Sequence, residues 1–265
     1  MRDKRIIEME AEFVGKAFTN KQGCHFKVIE YERASRVLIE FQDVSKHRRY
    51  NSLKEVRSGG IKNPMFPFVC GVGYLGVGKY SSQEYTDDGV KRNTEAYEVW
   101  RGMLRRCYKE DHQTRKAPTY KDCSVNPIWH NFQNFAYWFY NHPYRQEGWH
   151  LDKDIMVGGN KEYGPLRCTF VPHDVNVLTT TTKAKRGKYP IGVYFKKDVG
   201  KFRAQLGSYG GFQKLLIESH DPNECFLAYK AAKEQYMKEV GEQWEGKLDP
   251  RVITSLKNWV VKETD

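Results

Sequence analysis

Residues 131–140 are the most aromatic stretch of the chain, with the sequence NFQNFAYWFY, and Asn141-His142-Pro143 follows them. Apolar residues recur there at three- and four-residue intervals, the spacing of one buried helix face. That face consists of Trp129, Phe132, Phe135, Ala136 and Phe139. Aromatic stripes at this spacing are core far more often than base-stacking surfaces. The sequence therefore predicts a packed core around a helix that ends before Pro143.

A second helix is predicted over residues 94–110, TEAYEVWRGMLRRCYKE. Thr94 is a suitable N-cap. Helical spacing places these residues on one apolar face: Ala96, Val99, Trp100, Met103, Leu104 and Cys107. The opposite face is basic and carries Arg101, Arg105, Arg106 and Lys109. The segment is thus expected to be an amphipathic helix with a charged outer side.

Composition indicates a folded, basic chain. Of its 265 residues 39% are hydrophobic and 14% aromatic, which is too apolar for a disordered protein. Lys and Arg number 44 against 33 Asp and Glu, a formal charge of +11. A positive balance of this size favours a polyanionic partner, and nucleic acid is the first candidate.

The six cysteines are scattered, without a close pair: Cys24, Cys70, Cys107, Cys123, Cys168 and Cys225. This pattern argues against a disulfide framework and favours a reducing cytosol. A zinc site built from Cys107, Cys123, Cys168 and either His130 or His173 is a weaker alternative, because structural zinc usually uses close ligand pairs. No stretch approaches the ~20 apolar residues of a membrane span, so no membrane partner is expected.

The predicted fold class is α+β, in three parts joined by a linker. The predicted segments are a small β module (1–60), a helical and ββα body (61–178), a basic linker (179–189), a sheet-and-helix domain (190–240) and a C-terminal tail helix (241–265). In the β module the predicted strands are Phe13–Thr19, His25–Tyr31 and Arg36–Phe41, the last one covered on both faces. The formal G-x-G-x-x-G at Gly71, Gly73 and Gly76 is rejected as a dinucleotide motif, because a loop follows it instead of a helix.

Residues 179–203 are dense in positive charge. The cations are Lys183, Lys185, Arg186, Lys188, Lys196, Lys197, Lys201 and Arg203, against one acid, Asp198. Three short strands are expected near residues 192–195, 201–206 and 212–217, followed by a helix that starts at Asp221-Pro222-Asn223-Glu224. Strand alternation puts Lys201, Arg203 and Gln205 on one face. Such a face can enter a major groove, where Arg and Gln pair with base edges while Lys and the linker neutralise phosphates.

The segments PIGVYFKK, GKFRAQL and ECFLAYKAAKE resemble the ethylene-response-factor type DNA-binding domain of plants, which also occurs beside phage homing nucleases. The likeness covers about fifty residues and lies in Gly192-Val193, in 201–204 (KFRA) and in Ala228-Tyr229. It implies a three-stranded antiparallel sheet packed on a helix, with major-groove contacts from Tyr194, Lys196, Arg203 and Gln205. Asp198-Val199 stands where that family usually has an aromatic contact, so the family's target sequence does not carry over.

Residues 149–178 have a predicted ββα order, with strands at His150–Ile155 and Cys168–Val171 and a short helix after Pro172. They resemble the HNH nuclease family through 151–154 (LDKD), Asn160 and 166–168 (LRC). The stretches from Trp100 to Tyr108 and from Trp129 to Phe135 resemble its phage members. The likeness implies that Asp152 binds a divalent metal, Mg²⁺ or Mn²⁺, and that Asn160 orients the catalytic base.

Two positions depart from the HNH pattern. Lys153 stands where the general-base His belongs, and its amine would need a strongly lowered pKa to act as a base at neutral pH. Arg167 stands where the second metal ligand belongs, and a guanidinium repels cations. These departures favour a degenerate nuclease in which Lys153 and Arg167 contact DNA phosphate.

A rearranged catalytic site is the alternative in this segment. His150 and Asp152 share one side of a strand, and His173 and Asn176 have helical spacing. The candidate catalytic residues are Asp152, Lys153, Asn160 and His173, and the candidate metal ligands are Asp152 and Asn176. Asp154 completes the rearranged set.

Three functions therefore compete. The first is sequence-selective binding of double-stranded DNA by a phage protein of homing-endonuclease descent that no longer cuts. The second is an active, metal-dependent HNH-type DNA endonuclease. The third is a phage inhibitor that binds a host defence protein through its N-terminal module. Each places the protein in the cytoplasm, that of the host cell for a phage-encoded chain.

Overall fold

The computed structural model describes residues 4–110, 120–179, 189–207 and 213–263. Helices and antiparallel sheets alternate along the chain, which confirms the predicted α+β class. The chain divides into two compact units. Unit 1 comprises Met1–Pro118 with Pro127–Tyr137, and unit 2 comprises Thr119–Asn126 with Trp138–Asp265. The predicted body 61–178 is thus divided between the two units.

Unit 1 begins with a helix, a four-stranded sheet and a short helix. In chain order these are α1 (Lys4–Phe13), β1 (Ala17–Thr19), β2 (His25–Arg33), β3 (Arg36–Phe41), β4 (Arg48–Asn51) and α2 (Leu53–Ser58). Neighbouring strands pair in sequence order, all antiparallel. At the start of α2 the Ser52 side chain accepts from the Glu55 backbone N–H and Glu55 reaches back to Ser52, a capping box.

Two expectations for this module were wrong. A helix, α1, occupies the start, where no helix was predicted. Ile6, Met9 and Phe13 lie on one side of α1 and pack against the sheet, although polar residues surround them in the sequence. Strand β3 is buried on one face only: Val37 and Ile39 are fully buried, while its alternate residues are partly exposed.

The rest of unit 1 contains a hairpin and the helix predicted over residues 94–110, with part of the aromatic segment. The hairpin strands are β5 (Gln83–Tyr85) and β6 (Lys91–Asn93), within a stretch expected to be a loop, and α3 (Glu95–Tyr108) follows. Thr94 caps α3 as predicted, accepting from the backbone N–H of Tyr97. Trp100 is fully buried in the face of α3 and donates from Nε1 to the Trp129 carbonyl at 2.6 Å.

The aromatic segment folds as predicted. After the two-residue strand β7 (Ser124–Val125), helix α4 extends over Phe132–Asn141, and its residues belong to both units. The expected stripe is buried in full: Trp129 is 1% exposed, and Phe132, Phe135, Ala136 and Phe139 are 0% exposed.

Unit 2 contains the ββα segment and the C-terminal sheet. In chain order its remaining elements are β8 (His150–Asp152), β9 (Glu162–Tyr163), β10 (Thr169–Val171), α5 (His173–Thr179), β11 (Val193–Lys196), β12 (Lys201–Gly207), β13 (Gln213–Ser219), α6 (Pro222–Gln243) and α7 (Pro250–Lys257). β8 pairs antiparallel with β10 before α5, the predicted ββα order. β9 pairs in parallel with β7, which was not anticipated.

Helix α6 links two cores within unit 2. Its first half packs on the C-terminal sheet, where Ala204, Cys225 and Tyr229 are buried together. Its second half, with α7, packs against the ββα segment in a cluster of Ile155, Val171, Val175, Met237, Val240, Leu248, Val252, Ile253 and Leu256. The predicted segments 190–240 and 241–265 therefore share a core with the ββα segment. Among the described residues, no helix has the length and apolar character needed to span a membrane.

Candidate nucleic-acid interface

The candidate DNA-binding residues of the C-terminal sheet lie on one face. β11, β12 and β13 form an antiparallel sheet in that order. Tyr194 is paired with Arg203, and Lys196 with Lys201. Residues directly opposite in an antiparallel pair point to the same side, as do alternate residues of one strand. Gln205, two positions after Arg203, therefore belongs to the same face, as predicted.

The other face of this sheet is covered by α6. Ala204 is fully buried, and Val193, Phe202 and Leu206 pack into the cluster beneath the helix. Gly192 has φ of 75°, and a Cβ there would lie 2.1 Å from the ring of Tyr229. Only glycine fits that close approach between strand and helix. The core residues therefore fix which face of the sheet carries the cations.

Acidic side chains accompany the cations on this surface. Arg203 Nη2 forms an ion pair with Glu218, the residue opposite it on β13. Lys196 Nζ lies 3.0 Å from Asp198 Oδ2. Glu218 was not singled out from the sequence. Its alignment with Arg203 depends on a register shift in β12–β13 beside Ala204 and Gln205, which strand alternation alone does not reveal.

The guanidinium of Arg203 forms hydrogen bonds, but not all of its N–H donors have an acceptor. Burial acts to lower the pKa of Arg203, but hydrogen bonds to Tyr194 and Glu218 outweigh it, and the pKa is raised. Arg203 Nε is buried and has no hydrogen-bond acceptor among the described residues. Buried donors without a partner are uncommon in folded proteins. The cation stays charged, with one of its donors unused.

Of the remaining predicted DNA contacts, Arg167 lies within the described residues. Lys183, Lys185, Arg186 and Lys188 lie outside the described residues. Arg167 is exposed, and its Nε lies 2.9 Å from Glu162 Oε2. Its charge is therefore partly neutralised at the surface.

In the ββα segment, Asp152 shapes the turn after β8. Its Oδ1 accepts hydrogen bonds from the backbone N–H groups of Asp154 and Ile155, at 2.8 and 2.7 Å. Burial raises the pKa of this carboxyl despite those two bonds. One of the two carboxylate oxygens of Asp152 is thus already used to fold the chain.

The expectation that Lys153 contacts DNA phosphate was wrong, because its side chain points inward. Lys153 is 5% exposed, and its Nζ donates to both oxygens of Asp154 at 2.6 Å and to the Asn160 carbonyl at 2.8 Å. Asn160 is also buried, and its Nδ2 donates to the carbonyls of Lys153 and Glu162, both at 2.8 Å. The side chains of both candidate catalytic residues therefore form hydrogen bonds within the 153–162 loop, and both are buried.

A polar group outside that loop is more accessible. Asn176 Nδ2 lies 3.4 Å from His150 Nδ1, and the rings of His150 and His173 have centroids 5.0 Å apart. Both histidines are exposed. Sequence reasoning noted His150 but did not choose it. Antiparallel pairing of β8 with β10, directly before α5, brings it to Asn176.

The predicted metal ligands do not form a complete set. Asp154 forms an ion pair with Lys153 at 2.6 Å, which neutralises part of its charge. Within the described ranges, no group of three or more His, Cys, Asp or Glu is placed to hold a metal ion. A cation at Asp152 and Asn176 would depend on water or phosphate oxygens for its other ligands. The alternative zinc site gains no support from Cys168, because burial raises the pKa of this thiol to about 12.

Comparison of this chain with models of known protein families, with curated proteins and with solved structures found no match to any of them.

Proposed function

We propose that this chain is a sequence-selective binder of double-stranded DNA that docks the open face of its C-terminal sheet in the major groove. One observation carries the proposal: the strand register puts Tyr194, Lys196, Lys201, Arg203 and Gln205 on the face opposite α6. A two-stranded β-ribbon fits the width of the major groove, and these five residues all lie on β11 and β12. The likeness to the plant DNA-binding domain and to phage homing nucleases supports the same reading, including a phage origin.

The residue types on this face suit different parts of DNA. Arg203 can pair in bidentate fashion with guanine, and Gln205 with adenine, so these two positions would read sequence. Lys196 and Lys201 would neutralise phosphates and fix the register of the protein on the duplex. Glu218 would have to release Arg203 or share it with the base. That exchange weakens binding to sites without a suitable base.

Catalysis by the HNH-like segment is not part of this proposal. The two residues that resembled its catalytic positions, Lys153 and Asn160, are occupied within the 153–162 loop. A second candidate function rests on His150, which is exposed beside His173 and Asn176. In that reading His150 deprotonates water at a divalent cation and the chain cuts DNA.

The salt dependence of binding distinguishes the DNA-binding proposal from binding to a host protein. Binding to duplex DNA through six to ten phosphate contacts should weaken by about 10³–10⁵ between 50 and 200 mM salt. Fluorescence anisotropy with a labelled duplex measures it. A flat salt response would argue against DNA as partner and for a host protein bound by the chain.

The sheet face is tested by three matched variants. Arg203→Ala should cost about 1–3 kcal/mol on preferred sites and reduce discrimination among duplexes. Arg203→Lys keeps the charge but loses the planar fork, so it should retain the salt dependence and still lose discrimination. Lys238→Ala, an exposed position on α6, is the control and should leave binding unchanged. Equal effects of Arg203→Ala and Lys238→Ala would contradict the assignment of this face.

A plasmid-nicking assay with Mg²⁺ and Mn²⁺ tests the second candidate. Cutting that is lost in His150→Ala but kept in Lys238→Ala would establish an endonuclease. Intact plasmid with both metals would support a chain that binds DNA without cutting it.

A further inference from the structure

A cleft in unit 1 lies between α3 and the loop that carries Phe68, Val69 and Cys70. It has a volume of about 800 Å³, within the range of small-molecule binding sites. Its charged lining comes from Arg101, Arg105, Lys109 and Glu110. Glu110 is the one acid among them. The three cations belong to the basic face that the sequence predicted for residues 94–110, and the proposed DNA-binding sheet does not use them.

Two of the cations lie on one side of α3. Arg101 and Arg105 are four residues apart, so their side chains follow one another on the same helix face. Lys109 is the C-cap residue directly after the helix. Arg101 is neutralised by Glu98, at 2.9 Å. Arg105 and Lys109 are exposed, and neither side chain makes an ion pair or hydrogen bond within the part of the chain that the structure describes. A phosphate could form charge-assisted hydrogen bonds with both of these cations.

Aromatic rings lie beside these charges. Phe68 is 45% exposed, and Tyr97 and Tyr108 are partly exposed; all three line the cleft. The guanidinium carbon of Arg101 lies 5.9 Å from the centroid of the Tyr97 ring. A base stacks on such rings while its phosphate pairs with cations, the combination used by proteins that bind single strands. A bare inorganic anion would use only the cations.

The wall of the cleft is fixed by its glycine contact with α3. A Cβ at Gly73 would lie 2.4 Å from Leu104 Cδ1, so the loop backbone sits directly on the helix. Three residues earlier, Cys70 adopts φ of 51°, a left-handed conformation uncommon for residues other than glycine. Unfavourable backbone conformations often occur at binding sites. The loop that carries Phe68, Val69 and Cys70 is therefore anchored to α3 through Gly73.

We infer that this cleft binds a nucleotide unit, with its phosphate at Arg105 and Lys109 and its base against the aromatic rings of Phe68 and Tyr97. The unit can belong to a single strand of nucleic acid or be a free nucleotide. The inference does not rest on the proposed role of the C-terminal sheet. The inferred ligand binds to unit 1, whereas the duplex DNA of the proposed function binds to the C-terminal sheet in unit 2.

Fluorescence anisotropy of a short labelled oligo(dT), with the full chain, provides the test. The double variant Arg105→Ala/Lys109→Ala should bind about a hundredfold more weakly, since each of the two charge-assisted hydrogen bonds contributes about tenfold. Lys91→Ala, an exposed cation elsewhere in unit 1, is the matched control and should bind as the parent does. Equal affinities of parent and double variant would overturn the inference, because any remaining binding would lie elsewhere.

Competition separates the two sources of the nucleotide. Unlabelled dTTP that displaces oligo(dT) at similar concentration indicates a free nucleotide, whereas displacement by unlabelled oligo(dT) alone indicates a strand. If inorganic phosphate competed as effectively as dTTP or oligo(dT), the proposed stacking of a base on the aromatic rings would be overturned.

Protection of Cys70 from alkylation keeps the inference testable if the double variant fails to fold. In the parent chain, oligo(dT) or dTTP should slow the reaction of Cys70 with iodoacetamide several-fold, followed by mass spectrometry of the peptide. Cys24, which is partly buried in another part of unit 1, is the internal control and should react at an unchanged rate. Burial raises the pKa of the Cys70 thiol, so the reaction is run at alkaline pH. Unchanged alkylation of Cys70 under saturating probe would exclude this cleft as the site.

Discussion

The HNH-like loop and the C-terminal sheet place a cation beside a carboxylate in different ways. Lys153 is 5% exposed, and its ammonium is satisfied by Asp154 and the Asn160 carbonyl. Arg203 is paired with Glu218 on a partly exposed face, and its Nε has no acceptor among the described residues. The first cation is enclosed within the fold, whereas the second remains 23% exposed at the surface of its sheet. A positive charge in a sequence is therefore a candidate for binding only where the structure leaves the side chain accessible to a ligand.

Loss of the buried cation should have the largest effect. Lys153→Met leaves the Asn160 carbonyl without its donor inside unit 2, and should reduce the free energy of unfolding by about 2–4 kcal/mol. Urea denaturation followed by circular dichroism measures the change. Lys197→Met, which changes an exposed lysine in the turn between β11 and β12, is the control and should change stability by less than about 0.5 kcal/mol. If Lys153→Met and Lys197→Met changed the free energy of unfolding equally, the buried lysine would contribute no more to stability than an exposed one, and the comparison of the two regions would fail.

Removing the carboxylate of the sheet face should tighten DNA binding. Glu218→Gln releases Arg203 and removes repulsion toward phosphate, and we expect affinity for duplex DNA to rise by about three- to tenfold. Anisotropy at fixed salt measures the gain. Glu242→Gln, an exposed position on α6 that changes the net charge equally, should change affinity far less. A matching gain in both variants would mean that net charge, and not this ion pair, controls binding.

The smallest expected effect concerns Asp152 and its pH dependence. The pKa of Asp152 is raised by burial, so the folded state holds its proton more tightly than the unfolded state. Asp152 therefore disfavours folding at neutral pH, and this cost disappears as the pH falls below its unfolded pKa. Asp152→Asn keeps the oxygen that accepts from Asp154 and Ile155, and should stabilise the chain by about 0.5 kcal/mol at pH 7.

Denaturation midpoints of Asp152→Asn and the parent, compared from pH 7 to pH 4, check this sign. The advantage of the variant should shrink as the pH falls. A variant that is less stable than the parent at pH 7 would mean that the carboxylate charge stabilises the turn.

Sequence alone determined those features that depend on local periodicity. The stripe from Trp129 to Phe139, the Thr94 cap and the alternation of Lys201, Arg203 and Gln205 follow from helix and strand repeats, which fix side-chain direction within one element. The α+β class and the ββα order were predictable for the same reason. Helix α1 was missed because its few apolar positions become meaningful only against the sheet that they cover.

Tertiary structure decided which polar groups are already used. The inward turn of Lys153, the pairing of Arg203 with Glu218 and the meeting of His150 with Asn176 all join residues through strand register or loop closure. Residue types and spacing do not specify those distances. A cation's availability depends on burial and on its partners, and both are fixed only when separate elements pack together.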